Sequence, residues 1–163
     1  MEFDYCSFRK ALSHFATGVA VVTARGPAHE PIGMTMTSFN SVSLDPPLVL
    51  FSVDRRALSL PAMVAAQGYA INILSRCQET LSGQFAQARG EKWANVEVVA
   101  GYTEAPLLQG ALAHFECEPH AHYDAGDHVI FVIRVIRFSA NEREAPLLFF
   151  RGKYHSVGEG ALS

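Results

Sequence analysis

The sequence predicts a mainly β protein with a few helices, its antiparallel strands closed into a barrel or stacked as a sandwich. Three observations carry this. Met34 and Met36 alternate with Thr35 and Thr37, the period-two pattern of a half-buried strand. From Leu112 to Tyr123 the alternation is cleaner: Phe115 and Cys117 share one face with Ala113, Pro119, Ala121 and Tyr123. The opposite face carries His114, Glu116, Glu118, His120 and His122. Asp124 to Asp127 then reads as a turn, and His128 to Phe138 returns as a long strand. A closed antiparallel barrel has no free edges, which favours it over an open sheet; a sandwich fits the same pattern almost as well.

Taken in order, Asp4 to Phe15 has Phe8, Leu12 and Phe15 at helical spacing, with Asp4 or Ser7 as the N-cap. Gly18 breaks that pattern, and Val19 to Ala24 is the first strand. A polar, proline-bearing turn from Arg25 to Pro31 makes a hairpin into Gly33–Ser43, read as one strand. Pro46 and Pro47 cannot donate to a ladder, so that strand ends before them, and apolar Leu48 to Val53 reads as a buried central strand. Leu60 to Gln67 is a brief helix with Pro61 in its first turn, and Tyr69 to Leu74 another strand. Ser75 and Gln78 have the spacing of a capping box, opening a helix that puts Cys77, Leu81 and Phe85 into the core. Glu91-Lys92-Trp93 reads as a surface loop.

Composition narrows the function. A chain of 163 residues with 49% hydrophobic content suits one domain, residues 1–163, with an ample core. A net charge of -3 supplies no basic field for nucleic acid. No apolar run is long enough to span a membrane, and Met1 to Asp4 lack the layout of a signal peptide, so a soluble cytoplasmic protein is expected. Three widely spaced cysteines indicate neither a disulfide framework nor a zinc motif. The His and Glu stripe of the 112–123 strand invites a metal reading, but no convergent partner motif accompanies it; a solvated or subunit-facing stripe is expected and no metal.

The hydroxyls Thr35, Thr37, Ser38, Ser41 and Ser43, then Ser52, either populate the wet face of a strand or bind a polar, phosphate-bearing ligand. No G-x-G-x-x-G motif follows a strand, which argues against a Rossmann nucleotide domain. No Ser/His/Asp order or paired carboxylates stand out either.

Four stretches in this order resemble the short-chain flavin reductase family: Gly18–Thr23, Gly33–Pro47, Gly126-Asp127-His128, and Pro146–Tyr154. The resemblance runs from about Phe8 to Val157. It implies an FMN-binding split β-barrel of antiparallel Greek-key type. It implies reduction of FMN or FAD by NADH or NADPH, with reduced flavin supplied by diffusion to a separate monooxygenase. It also implies a homodimer burying flavin at its interface. Thr35, Met36, Thr37, Ser38, Ser52, Val53, Arg55 and Arg89 would then bind flavin, with His128, Arg151 and Tyr154 on the nicotinamide side. Two neighbouring activities fit the same resemblance: reduction of another acceptor, such as a corrinoid or ferric complex, and non-catalytic flavin binding.

Overall fold

The computed structural model describes residues 2–158, so Met1 of the N-terminal reading lies outside it. In chain order the elements are α1 (Tyr5–Leu12), β1 (Thr17–Gly18), β2 (Ala20–Arg25), β3 (Pro31–Met36), β4 (Asn40–Leu44) and β5 (Pro47–Asp54). Then come α2 (Leu60–Ala65), β6 (Tyr69–Ile73), a 3-10 turn (Arg76–Gln78), α3 (Glu79–Ala86), β7 (Val98–Ala100) and β8 (Pro106–Leu108). The chain finishes with β9 (Ala113–Ala125), β10 (His128–Ala140), β11 (Leu147–Phe150) and β12 (Lys153–Ser156).

Seven strands form the main sheet in the order β3-β2-β6-β9-β10-β5-β4, each neighbour antiparallel. The predicted β2–β3 hairpin is present. The stretch Gly33–Ser43, however, is not one strand. β3 and β4 lie at opposite edges of the sheet, and three residues, Thr37 to Phe39, join them. So short a link brings the two edges together at one end, and the sheet is a split β-barrel. Ser38 fastens the link: its Oγ accepts a hydrogen bond from the Ser52 N–H on β5 at 3.0 Å.

Leu48 to Val53 is likewise not central. β5 is one strand from the edge and alternates buried and half-buried residues, with one face inward. Phe51 and Phe131 stack in the barrel interior with centroids 5.0 Å apart, and Tyr69 meets Phe51 edge-on. Met63 of α2 joins this core, and its carbonyl accepts the Tyr69 hydroxyl at 2.7 Å. Burial pushes that phenol up to about 12.

Outside the barrel, Val19, Val21, Leu74, Phe85, Leu108 and Leu147 form a second core. With both faces covered, β2 is buried at five of its six positions. The capping box at Ser75 forms as expected, but it opens a 3-10 turn before α3. That turn changes the phase, and Cys77 is exposed rather than packed while Phe85 is buried. Asp4 caps α1, accepting from the Cys6 and Ser7 amides. The helix stops at Leu12 rather than running to Phe15, and its apolar side stays outside this core: Phe8 and Leu12, with Phe15 beyond the helix end, are exposed.

The polar stripe of β9 also departs from expectation. Glu116 is only 6% exposed and accepts hydrogen bonds from the Tyr102 and Thr103 amides, so it ties down the loop between β7 and β8. His114 reaches the Leu108 carbonyl at 2.8 Å. A register shift opposite Val132 and Ile133 then interrupts the alternation near His120. Cys117, facing the barrel, has its thiol pushed up to about 12 by burial and serves packing. Among the described residues, no three His, Cys, Asp or Glu side chains converge as a metal site.

Candidate functional site

The split between the two edge strands opens onto a continuous groove. Its first hollow, about 290 Å³, lies between the Thr37–Ser38 link, the end of β5 at Ser52 and Val53, and His128. Met34, Thr35, Asp54 and Ala57 are shared with a second hollow of about 480 Å³ beside the end of α3. Leu58, Ser59, Ala88 and Lys92 connect that one to a third, about 560 Å³, under the loop from Gly90 to Ala94. Small-molecule sites commonly occupy about 300–1,000 Å³, so the groove has the capacity for a ligand of nucleotide size.

Each wall follows from local chemistry. The Thr35 hydroxyl donates to the Ser82 carbonyl at 2.6 Å, locking β3 to α3. Ser38 is spent on Ser52, as described. Among the described residues, the Thr37 hydroxyl has no protein partner and stands at the exposed rim of the first hollow. Ser59 precedes α2 without making a side-chain cap, which leaves its hydroxyl to the groove. Met34 and Ala57 give apolar surface beside these hydroxyls, and Met36 and Val53, buried in the barrel core, back the hollow from behind.

Two cations face the groove. Arg56 lines the second hollow and is held by Asp54, with its terminal nitrogen 2.8 Å from the carboxylate. Hydrogen bonding from Arg56 keeps the Asp54 carboxyl well below its usual range, and the guanidinium is raised in turn. Lys92 donates to the Gly33 carbonyl at 3.2 Å, and partial burial lowers its pKa. The loop carrying it is anchored rather than free: Trp93 meets Phe85 edge-on at 4.8 Å, and Gln84 donates to the Lys92 carbonyl. A planar ring with a phosphate tail fits this donor set, the ring against methionines and hydroxyls and the phosphate toward Arg56, Ser59 and Lys92.

Of the eleven residues singled out from sequence, seven line the first hollow: Thr35, Met36, Thr37, Ser38, Ser52, Val53 and His128. Four do not. Arg55 turns the other way and pairs with Asp124 at 2.6 Å. Arg89 is exposed and lines none of the three hollows. Tyr154 of β12 hydrogen-bonds Ser82 at 2.8 Å and packs edge-on against Phe149 in the second core. Arg151 sits at positive φ in the β11–β12 turn, its guanidinium 5.0 Å above the Phe150 ring. Ser59 and Lys92, whose neighbours carry no motif, were not singled out from sequence; of the Arg55-Arg56 pair, either of which could meet a phosphate, Arg56 is the one that lines the groove.

The profile of a family described as "Flavin reductase like domain" matches residues 12–158. The chain is 45% identical over 148 residues to an FMN reductase (NADH) of Agrobacterium fabrum, covering 91% of this chain and 83% of that one. It is 41% identical over 159 residues to the reductase subunit of a stachydrine N-demethylase from Rhizobium meliloti, covering 98% of this chain and 69% of the relative. The solved structure of an NADH:FAD oxidoreductase from Streptomyces globisporus, in complex with NAD and FAD fragments, superposes with a TM-score of 0.91. That match is 37% identical and covers 99% of both chains. A split barrel of the same shape, and a profile match spanning nearly all of it, place this chain in the flavin reductase-like domain family.

Proposed function

We propose that this protein is an NAD(P)H-dependent flavin reductase that reduces FMN or FAD and supplies the reduced flavin to a separate monooxygenase. The observation that carries the reading is the groove itself: hydroxyls and methionines at the barrel split, His128 on the rim, and Arg56 and Lys92 farther along. Family membership and the relatives' activities support it. Flavin, when bound, supplies the hydride-accepting ring. The chain's part is positioning. Met34 and Ala57 would give the ring apolar cover, with Met36 and Val53 behind them in the barrel core, and the Thr37 and Ser52 hydroxyls would donate to its polar groups. Arg56 and Lys92 neutralise phosphate, while His128 orients the nicotinamide. No residue needs to exchange a proton for hydride transfer itself; holding donor and acceptor together is the catalytic contribution.

The working unit in this reading is a cytoplasmic homodimer of one-domain chains. Exposed Phe8, Leu12 and Phe15, with Leu44 at 94% and Phe138 at 73% exposure, support a second copy, because monomers seldom leave so much large apolar surface in water. Among the described residues, no helix is long and apolar enough to cross a membrane.

The test is to mix purified protein anaerobically with FMN or FAD and then NADH or NADPH, and follow nicotinamide absorbance and flavin bleaching. Protein-dependent loss of both signals is expected, with light scattering of the same sample giving twice the chain mass. A bound flavin that NAD(P)H never bleaches would leave only a flavin-binding module.

A further inference from the structure

Arg55, which the resemblance would have bind flavin, instead makes three bonds to one hairpin. Its backbone N–H donates to the Asp127 carbonyl at 2.9 Å, and its Nε donates to the Gly126 carbonyl at 2.9 Å. Its terminal nitrogen pairs with Asp124 at 2.6 Å. The turn it grips is the β9–β10 hairpin, in which Ala125 pairs with His128 and only Gly126 and Asp127 form the loop. Gly126 sits at φ +63°, a conformation that favours glycine at the first position of a two-residue hairpin loop. On the other side, His128 pairs in register with Asp54, the residue preceding Arg55. The end of β5 therefore braces the turn from which His128 projects.

Asp127 completes the arrangement. Its Oδ1 lies 2.7 Å from His128 Nδ1, and that hydrogen bond holds its carboxyl below the usual range. An ionised carboxylate only accepts, so Nδ1 must carry the hydrogen. In the neutral imidazole Nε2 is then a bare acceptor, and among the described residues it has no protein partner. We infer that Arg55, Asp124 and Asp127 are positioning residues that present His128 Nε2 to the groove as a hydrogen-bond acceptor. Resting on the nicotinamide reading of this rim, the ligand group that His128 meets is an N–H or O–H donor, such as a carboxamide NH2. For the neutral imidazole a phosphate oxygen, which has no hydrogen to give, is the wrong partner.

All of these pairs are solvent-exposed, with Asp124 and Asp127 side chains more than four-fifths open, so they add little to stability. Their effect should appear in orientation. In uniformly 15N-labelled full-length protein without flavin or nucleotide, at a pH where the imidazole is neutral, long-range nitrogen–proton spectra should show His128 as the Nδ1–H tautomer. Asp127→Ala should convert it to a mixture with Nε2–H. A dominant Nε2–H form in the unaltered protein overturns the assignment. In turnover, Arg55→Gln and Asp124→Asn should each raise KM for NADH about threefold, the effect of one neutral hydrogen bond, at unchanged kcat and flavin Kd. Asp124→Asn alters only an exposed side chain, so it keeps the test alive if Arg55→Gln fails to fold. An unchanged KM, or a flavin Kd that rises in parallel, overturns the positioning role. The spectra need neither ligand, so they fail independently of the functional reading, which absence of any NADH oxidation would sink.

Discussion

Gly33→Ala is expected to destabilise the protein by about 1–3 kcal/mol and to weaken flavin binding with it. A β-carbon at this position would stand 2.5 Å from Phe85 Cε1 and 3.1 Å from Trp93 Cζ2. Phe85 is fully buried in the second core and has nowhere to retreat. The Gly33 carbonyl also receives Lys92, so a shifted Phe85–Trp93 pair would move the cation at the far end of the groove. For a chain of this size each kcal/mol lowers Tm by about 2–4 °C. A thermal melt and a flavin fluorescence titration check both parts, and an unchanged melt would mean that the loop packs far more loosely than described.

Glu116→Ala should cost about 2–3 kcal/mol, because two backbone amides lose a charged acceptor in a buried setting. Tyr102 and Thr103 supply those amides. Gly101 lies close beneath the same carboxylate: a β-carbon there would come within 2.6 Å of Glu116 Oε2. Glu116→Gln keeps one acceptor oxygen and should lose less. Neither change touches the groove, so flavin affinity at low temperature should persist in the folded fraction. A Glu116→Ala protein as stable as its parent would restore the solvated stripe expected from sequence.

That stripe shows where sequence reading stops. Alternation along β9 is local and was legible, but the loop that covers Glu116 comes from residues 13 and 14 positions earlier, which periodicity cannot register. The same holds for Gly33–Ser43. Alternating residues run almost unbroken through it, yet the chain passes from one sheet edge to the other at Thr37–Phe39, a break fixed by the Ser38–Ser52 bond. The Ser75 capping box was readable because both partners lie within one turn, whereas the 3-10 start that turns Cys77 outward was not. Arg55 and Arg56 are neighbours with identical side chains. Asp124 takes the first and Asp54 the second, and only the fold decides which one faces the groove. The hydroxyl-rich run that borders the first hollow stands out in the sequence because its residues are contiguous. Ser59 and Lys92 reach the groove from separate loops and left no such trace.

The central claim is that flavin is reduced in the groove at the barrel split, and Thr37→Trp tests it most directly. Thr37 is exposed on the link between β3 and β4, so an indole there should be tolerated by the fold while filling the first hollow. Anaerobic stopped-flow mixing of flavin-loaded protein with NADH should show rapid bleaching for the unaltered chain. The variant, with an unchanged melt, should bind flavin at least about tenfold more weakly, a shift of about 1.4 kcal/mol, and bleach correspondingly little at the same flavin concentration. A folded Thr37→Trp protein that binds and reduces flavin like its parent would place the reaction elsewhere on the molecule.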